Sequence, residues 1–163
     1  MLDHILIPLD GSLLAEEALA PAKQILHPQG KVILVSVVET LTHWEFGIAP
    51  EVMLGQSEDM TQQLMPRARG YLEQVAEDLR AEGFHVDTLI LYGDAATIIV
   101  ETASARKVDA IAMSTHGRSG FGRWLFGSVT NKVLSAAPCP VFVIPSKHPR
   151  PQLEELTREV KYQ

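Results

Sequence analysis

The chain has 163 residues, of which 46% are hydrophobic and 21% are charged, and its formal net charge is −6. This length fits one domain with a sizeable core, and the composition is that of an ordinary globular protein. The acidic balance, without a basic cluster, argues against a nucleic-acid partner, and no apolar run has the length of a membrane span. Cys139 is the single cysteine, which excludes an intramolecular disulfide and favours a reducing, cytoplasmic setting.

Short apolar runs alternate with helical patterns along the chain. Five runs predict buried strands: HILIPLD (4–10), KVILVSVVE (31–39), FHVDTLILY (84–92), VDAIAMS (108–114) and CPVFVIP (139–145). Strands that alternate with helices pair in parallel through right-handed crossovers. The sequence therefore predicts a single-domain α/β fold with an open parallel sheet and helices on both faces.

The first two helices have identifiable ends. Ser12 is the predicted N-cap of the first helix, and Pro21 predicts a kink within it. Apolar residues that recur every three or four positions predict a long amphipathic helix over 57–81. Pro66 predicts a kink in this second helix, and Gly83 is its predicted stop.

The second half of the chain adds two more helices. Asp94 is the predicted N-cap of the third, and the fourth is predicted over 128–137. Residues 40–55 fit no period and predict a long connection. We predict one domain over 1–146, followed by a charged tail over 147–163 that forms a short extra helix or none.

Polar and turn residues follow three of the strands at the edge where ligands of open parallel sheets bind. Asp10 leaves the first strand, Val37 ends the second, and the segment 113–117 leaves the fourth. A carboxylate repels phosphates, so Asp10 at this edge fits a ribose hydroxyl or a divalent cation instead.

The stretch STHGRSGFGRWLFGSVT (114–130) is rich in glycine and hydroxyl residues. Gly127 and the residues after it open a helix whose free N–H groups favour an anion, and Arg118 and Arg123 add positive charge. These features suit a triphosphate. Because glycine and serine are also common in turns, a long connection that binds nothing stays open as the alternative. Neither the Walker A loop nor the dinucleotide-binding glycine motif is present.

Three segments resemble the universal stress protein family. They are ILIPLDGS (5–12), MSTHGRSGFGRWLFGSVTNKVL (113–134) and APCPVFVIP (137–145). Nucleotide-binding members of that family carry the motif G-2x-G-9x-G-[ST]. Here Gly117, nine intervening residues, Gly127 and Ser128 match it, while Ser114 stands at the position of the first glycine.

The resemblance implies a Rossmann-like five-stranded sheet in the order 3-2-1-4-5 and a bound ATP, with Mg²⁺ or Mn²⁺. It implies adenine contacts from Pro8, Leu9 and Val37 and places Asp10 by the ribose or adenine, where it could also reach Mg²⁺. The ribose and phosphate path would be lined by Met113, Ser114, His116 and Gly117. The phosphates would be held by Gly127, Ser128, Val129 and Thr130.

Several of these residues also have a purely structural explanation. Pro8 could simply punctuate a strand, Val37 is a core-type residue, and a lone loop histidine such as His116 is more often a turn residue than a ligand. Asp10 is the strongest candidate, because a carboxylate that leaves a buried strand at the ligand edge has few structural reasons to be there.

The fifth predicted strand has an unprotected edge. The residues VFVI at 141–144 carry no charge and no internal proline that would block pairing with another chain. The sequence therefore predicts a symmetric homodimer through Val141–Ile144, and the family resemblance implies the same.

The resulting hypothesis is a cytoplasmic, ATP-binding universal stress protein that acts as a nucleotide-dependent sensor or regulator. A slow ATPase is one alternative, although no residue is a convincing general base. A nucleotide-free interaction module and a protein that binds AMP or a cyclic nucleotide are the others.

Overall fold

The computed structural model describes residues 1–38, 54–115 and 126–145, with the side chains of 54–63 left out. Five strands form one sheet: β1 (Leu2–Pro8), β2 (Leu26–Val38), β3 (His85–Tyr92), β4 (Ala110–Ser114) and β5 (Val141–Ile144). Every pairing is parallel, and the order is β3-β2-β1-β4-β5. The predicted fold class and strand order are both confirmed.

The described helices connect these strands: α1 (Leu13–Glu16), α2 (Leu19–Ile25), α3 (Leu54–Ala81), α4 (Ala95–Arg106) and α5 (Ser128–Ala136). None of them combines the length and apolarity needed to span a bilayer. Residues 40–53 of the predicted connection and the whole 147–163 tail lie outside the described ranges.

The core lies on both faces of the sheet. β1 is the central strand, and its side chains alternate: Ile5 and Ile7 point into one cluster and Leu6 into the other, each at most 1% exposed. The first cluster is covered by α1, α2 and α3, and the second by α4 and α5. Each such side chain contributes about 1.5–3 kcal/mol through burial, so the central strand holds both helix layers in place.

The predicted helix ends are confirmed where the sequence carries a specific capping residue. Ser12 caps α1 by accepting the Ala15 N–H at its Oγ, 3.2 Å away. Asp94 caps α4 in the same way through the Thr97 N–H at 3.0 Å. Gly83 ends the turn after α3 with φ of +99°, a conformation that glycine adopts without a steric cost.

The predicted first helix is in fact two helices. α1 ends at Glu16, and α2 begins at Leu19 with Pro21 in its first turn. Proline has no N–H to donate to the carbonyl four residues earlier, and its ring crowds that carbonyl. The predicted single helix is therefore interrupted after Glu16, and a second helix begins two residues before Pro21, which its first turn accommodates.

Several element bounds differ from the prediction by a few residues. β1 begins at Leu2 and ends at Pro8, so Asp10 lies beyond its last residue. β2 begins at Leu26, earlier than predicted, and its start is irregular, with Gln29 at φ of +67°. Pro66 lies inside α3, as expected. These shifts leave the polar residues after β1 at the edge of the sheet.

Candidate functional site

The strand order reverses between the two central strands. β1 pairs with β2 on one side, and β4 pairs with β5 on the other, while Leu6 of β1 lies opposite Ile111 of β4. Just past the ends of these strands, the Leu9 N–H donates to Val35 (2.8 Å) and the Thr115 N–H donates to Ile144 (2.9 Å). Both donors turn toward the outer strands, so the central pair separates at its carboxyl end, which is the crevice where such sheets bind ligands.

Asp10 lies at this crevice with one carboxylate oxygen held in place. Its Oδ1 accepts the Ser12 N–H at 2.9 Å and the Ser12 hydroxyl at 2.6 Å. Gly11 between them has φ of +82°, which lets the chain turn tightly enough for both bonds. The two hydrogen bonds orient the half-buried carboxylate without any need for a ligand.

The end of β4 is tied to the start of α5. The Gly127 N–H donates to the Thr115 carbonyl at 2.8 Å. The Thr130 hydroxyl, on a side chain only 3% exposed, donates to the carbonyls of Ser114 (3.2 Å) and Thr115 (3.4 Å). Since its hydroxyl serves the backbone of β4, Thr130 would meet a ligand through its backbone N–H.

The N-terminus of α5 offers backbone donors at the crevice. Gly127 is its N-cap, and the Asn131 N–H makes the first intrahelical bond, to the Gly127 carbonyl at 3.0 Å. The N–H groups of Ser128, Val129 and Thr130 have no carbonyl one turn earlier within the helix. Together with the helix dipole, they create a site that favours negative charge.

The other predicted site residues occupy different depths. Leu9 and Met113 are 2% and 5% exposed, with side chains in the first and second core clusters respectively. Ser114 is buried at 6%, and Pro8 and Val37 are half-buried. The deeply buried members could face a ligand only through backbone atoms. His116, Gly117 and Arg118 lie outside the described residues.

Sequence reasoning missed two residues that shape this edge. Ser12 was identified as a helix cap only, yet it also fixes Asp10; the D-G-S spacing is a recognisable signal, because aspartate commonly bonds the backbone two residues on. The Asn131 side chain donates to the Phe126 carbonyl at 2.9 Å and so holds the chain that enters α5. No local pattern marked that bond.

Protein side chains do not form a metal centre in the described ranges: no three histidine, cysteine, aspartate or glutamate groups converge there. A cation at this edge would draw most of its ligands from a bound phosphate and water, as Mg²⁺ commonly does.

The matches to known proteins agree with this architecture. Residues 1–145 match the model of the universal stress protein family. The chain belongs to that family. It is similar to universal stress protein MJ0531 of Methanocaldococcus jannaschii, with 33% identity over 144 residues, 86% of this chain and 80% of that protein.

Solved structures of family members share the fold. The structure of MJ0577, from the same archaeon, has a TM-score of 0.78 and 30% identity, covering 91% of this chain and 99% of that chain. Two more distant family structures hold nucleotides: one with cAMP (TM-score 0.59, 18% identity, 88% and 99% coverage) and one from Arabidopsis thaliana with AMP (0.61, 16%, 88% and 91%). At these identities the last two establish a shared fold alone.

Proposed function

We propose that this family member binds ATP with Mg²⁺ in the crevice between β1 and β4 and acts as a nucleotide-dependent regulator. Two observations carry the proposal: an oriented carboxylate, Asp10, follows β1, and the N-terminus of α5 is tied to the end of the neighbouring strand β4, at the edge where the strand order reverses. Family structures with cAMP and AMP support an adenine nucleotide as the ligand class.

Each part of the nucleotide has a matching set of groups. Asp10 accepts a hydrogen bond from a ribose hydroxyl. The bonds from Ser12 to Oδ1 orient the carboxylate for this role. The N–H groups at the start of α5 receive the phosphates. The adenine ring lies against Pro8 and Val37, which are half-buried, and against the Leu9 backbone.

Phosphate number and metal follow from the charge of the site. The N-terminus of α5 stabilises negative charge, so a triphosphate gains more there than a monophosphate. Mg²⁺ takes phosphate oxygens, water and one or two carboxylates, and Asp10 is the carboxylate at this edge that would share it. AMP is the second candidate ligand because a relative holds it.

The deciding experiment starts from protein purified without added nucleotide. Bound ligand is released with acid and identified by mass spectrometry, and ATP·Mg²⁺ and AMP are then titrated by calorimetry. Gly127→Val should weaken ATP binding about tenfold or more by crowding the phosphate path. Its φ of −53° and ψ of 157° are open to valine, so the backbone can stay in place.

Gly70→Val is the matched control. Gly70 lies in α3, and a Cβ added there meets nothing within 4 Å. It should leave ATP binding unchanged. Absence of both extracted nucleotide and binding heat would contradict the proposal and favour an interaction module without a nucleotide. Turnover of ATP that disappears in Asp10→Ala would instead identify an ATPase.

We also propose that two copies associate through β5. This strand lies at the edge of the sheet, and its Phe142 is 40% exposed. An apolar edge without charge or proline can pair with a second copy. Val143→Lys should give a monomer in light scattering, with Lys132→Ala on α5 as a surface control. A Val143→Lys dimer of unchanged mass would overturn this role of the edge.

A further inference from the structure

A continuous chain of hydrogen bonds joins α3 to the Asp10 carboxylate. The Tyr71 hydroxyl of α3 donates to Glu16 Oε1, the last residue of α1, at 2.9 Å. The Ser12 carbonyl accepts the Ala15 N–H (3.1 Å) and the Glu16 N–H (3.4 Å) and so holds the first turn of that helix. Ser12 in turn donates its N–H and hydroxyl to Asp10 Oδ1. This series of hydrogen bonds ends at Asp10, the residue that we propose to contact the ribose.

Tyr71 is suited to act as a permanent donor. Its ring is half-buried and packs against the first core cluster. Burial raises the pKa of Tyr71, and the hydrogen bond to Glu16 raises the pKa further, so the hydroxyl keeps its proton throughout the physiological range. The negative charges of Glu16 and Asp10 act in the same direction. The Tyr71 hydroxyl can therefore donate to Glu16 at neutral pH.

α1 needs such an external support. It has four residues, which give little more than one hydrogen-bonded turn. A helix of this length is not stable by itself, because its nucleation cost exceeds what one turn returns. Its position, and with it the position of Ser12, depends on contacts from outside the helix. Ala15 supplies one such contact by packing in the first core cluster, and the side chain of Glu16 supplies another through its bond with Tyr71.

We propose that Tyr71 is a positioning residue of the nucleotide site. Through Glu16 it fixes α1, and through Ser12 it sets the angle at which Asp10 meets the ribose hydroxyls; Tyr71 itself does not touch the ligand. This inference rests on the proposed function and adds to it a residue from α3, which lies 55 positions from Glu16 along the chain.

The test compares ATP with its 2′-deoxy and 3′-deoxy analogues by calorimetry. A general loosening of the fold lowers all three affinities together, whereas a misaligned Asp10 lowers the preference for the intact ribose. The wild-type protein should prefer ATP over at least one analogue about tenfold, as expected for a hydrogen bond to a charged group. Tyr71→Phe removes only the hydroxyl and should reduce that preference about threefold to fivefold.

Thr88→Val is the matched control. It also removes one side-chain hydrogen bond to α3, the bond from the Thr88 hydroxyl to Glu73 Oε1. Thr88 lies on β3, two strands away from β1. It should leave the ribose preference unchanged. Glu16→Gln keeps an oxygen that accepts from Tyr71 and should retain the preference, while Glu16→Leu should lose it as Tyr71→Phe does.

The outcomes separate this inference from the function on which it rests. If Asp10→Ala, which removes the acceptor, abolishes the ribose preference while both Tyr71→Phe and Glu16→Leu keep it, the positioning role is wrong and the nucleotide site stands. If Asp10→Ala also keeps the preference, or the wild-type protein has none, Asp10 does not contact the ribose. That result would overturn both the inference and this part of the proposed function.

Discussion

The two ends of the sheet differ in how their polar groups are used. At the amino end, Lys31 and Asp87 form an ion pair at 2.9 Å, and Asp109 Oδ2 accepts the N–H groups of Asp3 (2.9 Å) and His4 (2.8 Å). At the carboxyl end, Asp10 follows β1, and α5 begins at the same edge with first N–H groups that have no partner within the helix.

The direction of the helices accounts for this difference. In a parallel βα unit, each helix begins at the carboxyl end of the preceding strand and ends near the amino end of the next. Positive helix ends therefore gather at one edge and negative ends at the other, where Arg106 in the last turn of α4 suits them. Charged groups alone therefore do not distinguish the two ends of the sheet. Backbone donors without an intrahelical partner do.

The largest effect is expected at the carboxyl end from Thr130→Val. The change leaves two backbone carbonyls without the hydroxyl that now donates to them, in a buried place. The free energy of unfolding, measured with urea, should fall by about 1–3 kcal/mol. Ser135→Ala removes an exposed hydroxyl from the same helix and should change it by less than about 0.5 kcal/mol. Equal effects of the two variants would refute the anchoring role of Thr130.

A smaller effect is expected at the amino end from Asp109→Ala. Its carboxylate accepts two backbone N–H groups, but at an exposed position where water can replace it. The free energy of unfolding should fall by about 1 kcal/mol. ATP affinity, measured by calorimetry, should stay as in the wild-type protein, because this edge has no part in the proposed site. A loss of affinity without further loss of stability would break the distinction between the two ends.

The amino end should also respond to pH through His4. Its Nε2 is buried and makes no hydrogen bond within the described part of the chain. Burial lowers the pKa of His4, and Lys31 and Arg106 lower it further, against the opposing effect of Asp109 and Asp87.

The sign of the pH effect follows from this lowered pKa. Below about pH 6.5 the unfolded chain takes up a proton on His4 more readily than the folded protein does. The contribution of neutral His4 to the free energy of unfolding is therefore complete above that pH. It is lost as the pH falls from 6.5 through the lower pKa of the folded state. The free energy of unfolding of the wild-type protein should be lower at pH 5.5 than at pH 7.5. This difference should be smaller in His4→Gln. An identical decrease in both proteins would assign it to other groups.

The smallest effect is expected from Lys31→Met. The side chains of Lys31 and Asp87 are 42% and 45% exposed, and exposed ion pairs contribute about 0–1 kcal/mol because water and salt screen them. The free energy of unfolding should change by about 0.5 kcal/mol or less. The difference should shrink further in 1 M salt. A larger, salt-independent loss would mean that the Lys31 stem matters through packing.

Local signals made most of the fold predictable. Apolar runs indicated the five strands, and Ser12, Gly83 and Asp94 marked helix ends through chemistry that acts over three residues or fewer. The strand order came from the family resemblance, since no pattern within a strand specifies its neighbour. Proline signals were informative too: Pro21 predicted a distortion, which the structure realises as a break between two helices.

The candidate site was predictable in place but not in its supporting contacts. Asp10 and the start of α5 could be assigned to one edge because parallel strands bring their carboxyl ends together. The bond between Tyr71 and Glu16 could not, since a tyrosine on an amphipathic helix and a glutamate in a first turn both have ordinary local explanations. The use of the Thr130 hydroxyl depends on how closely α5 approaches β4, which is a property of tertiary packing.

The hydrogen bond from the Gly127 N–H to the Thr115 carbonyl has a consequence for how this family member can diverge. It joins the chain on both sides of residues 116–126, so the end of β4 and the start of α5 are held together whatever the length of the segment between them. Doubling the length of a connection costs only about 0.6 kcal/mol in closure entropy. The number of residues between Thr115 and Gly127 can therefore vary among relatives at little entropic cost to the fold.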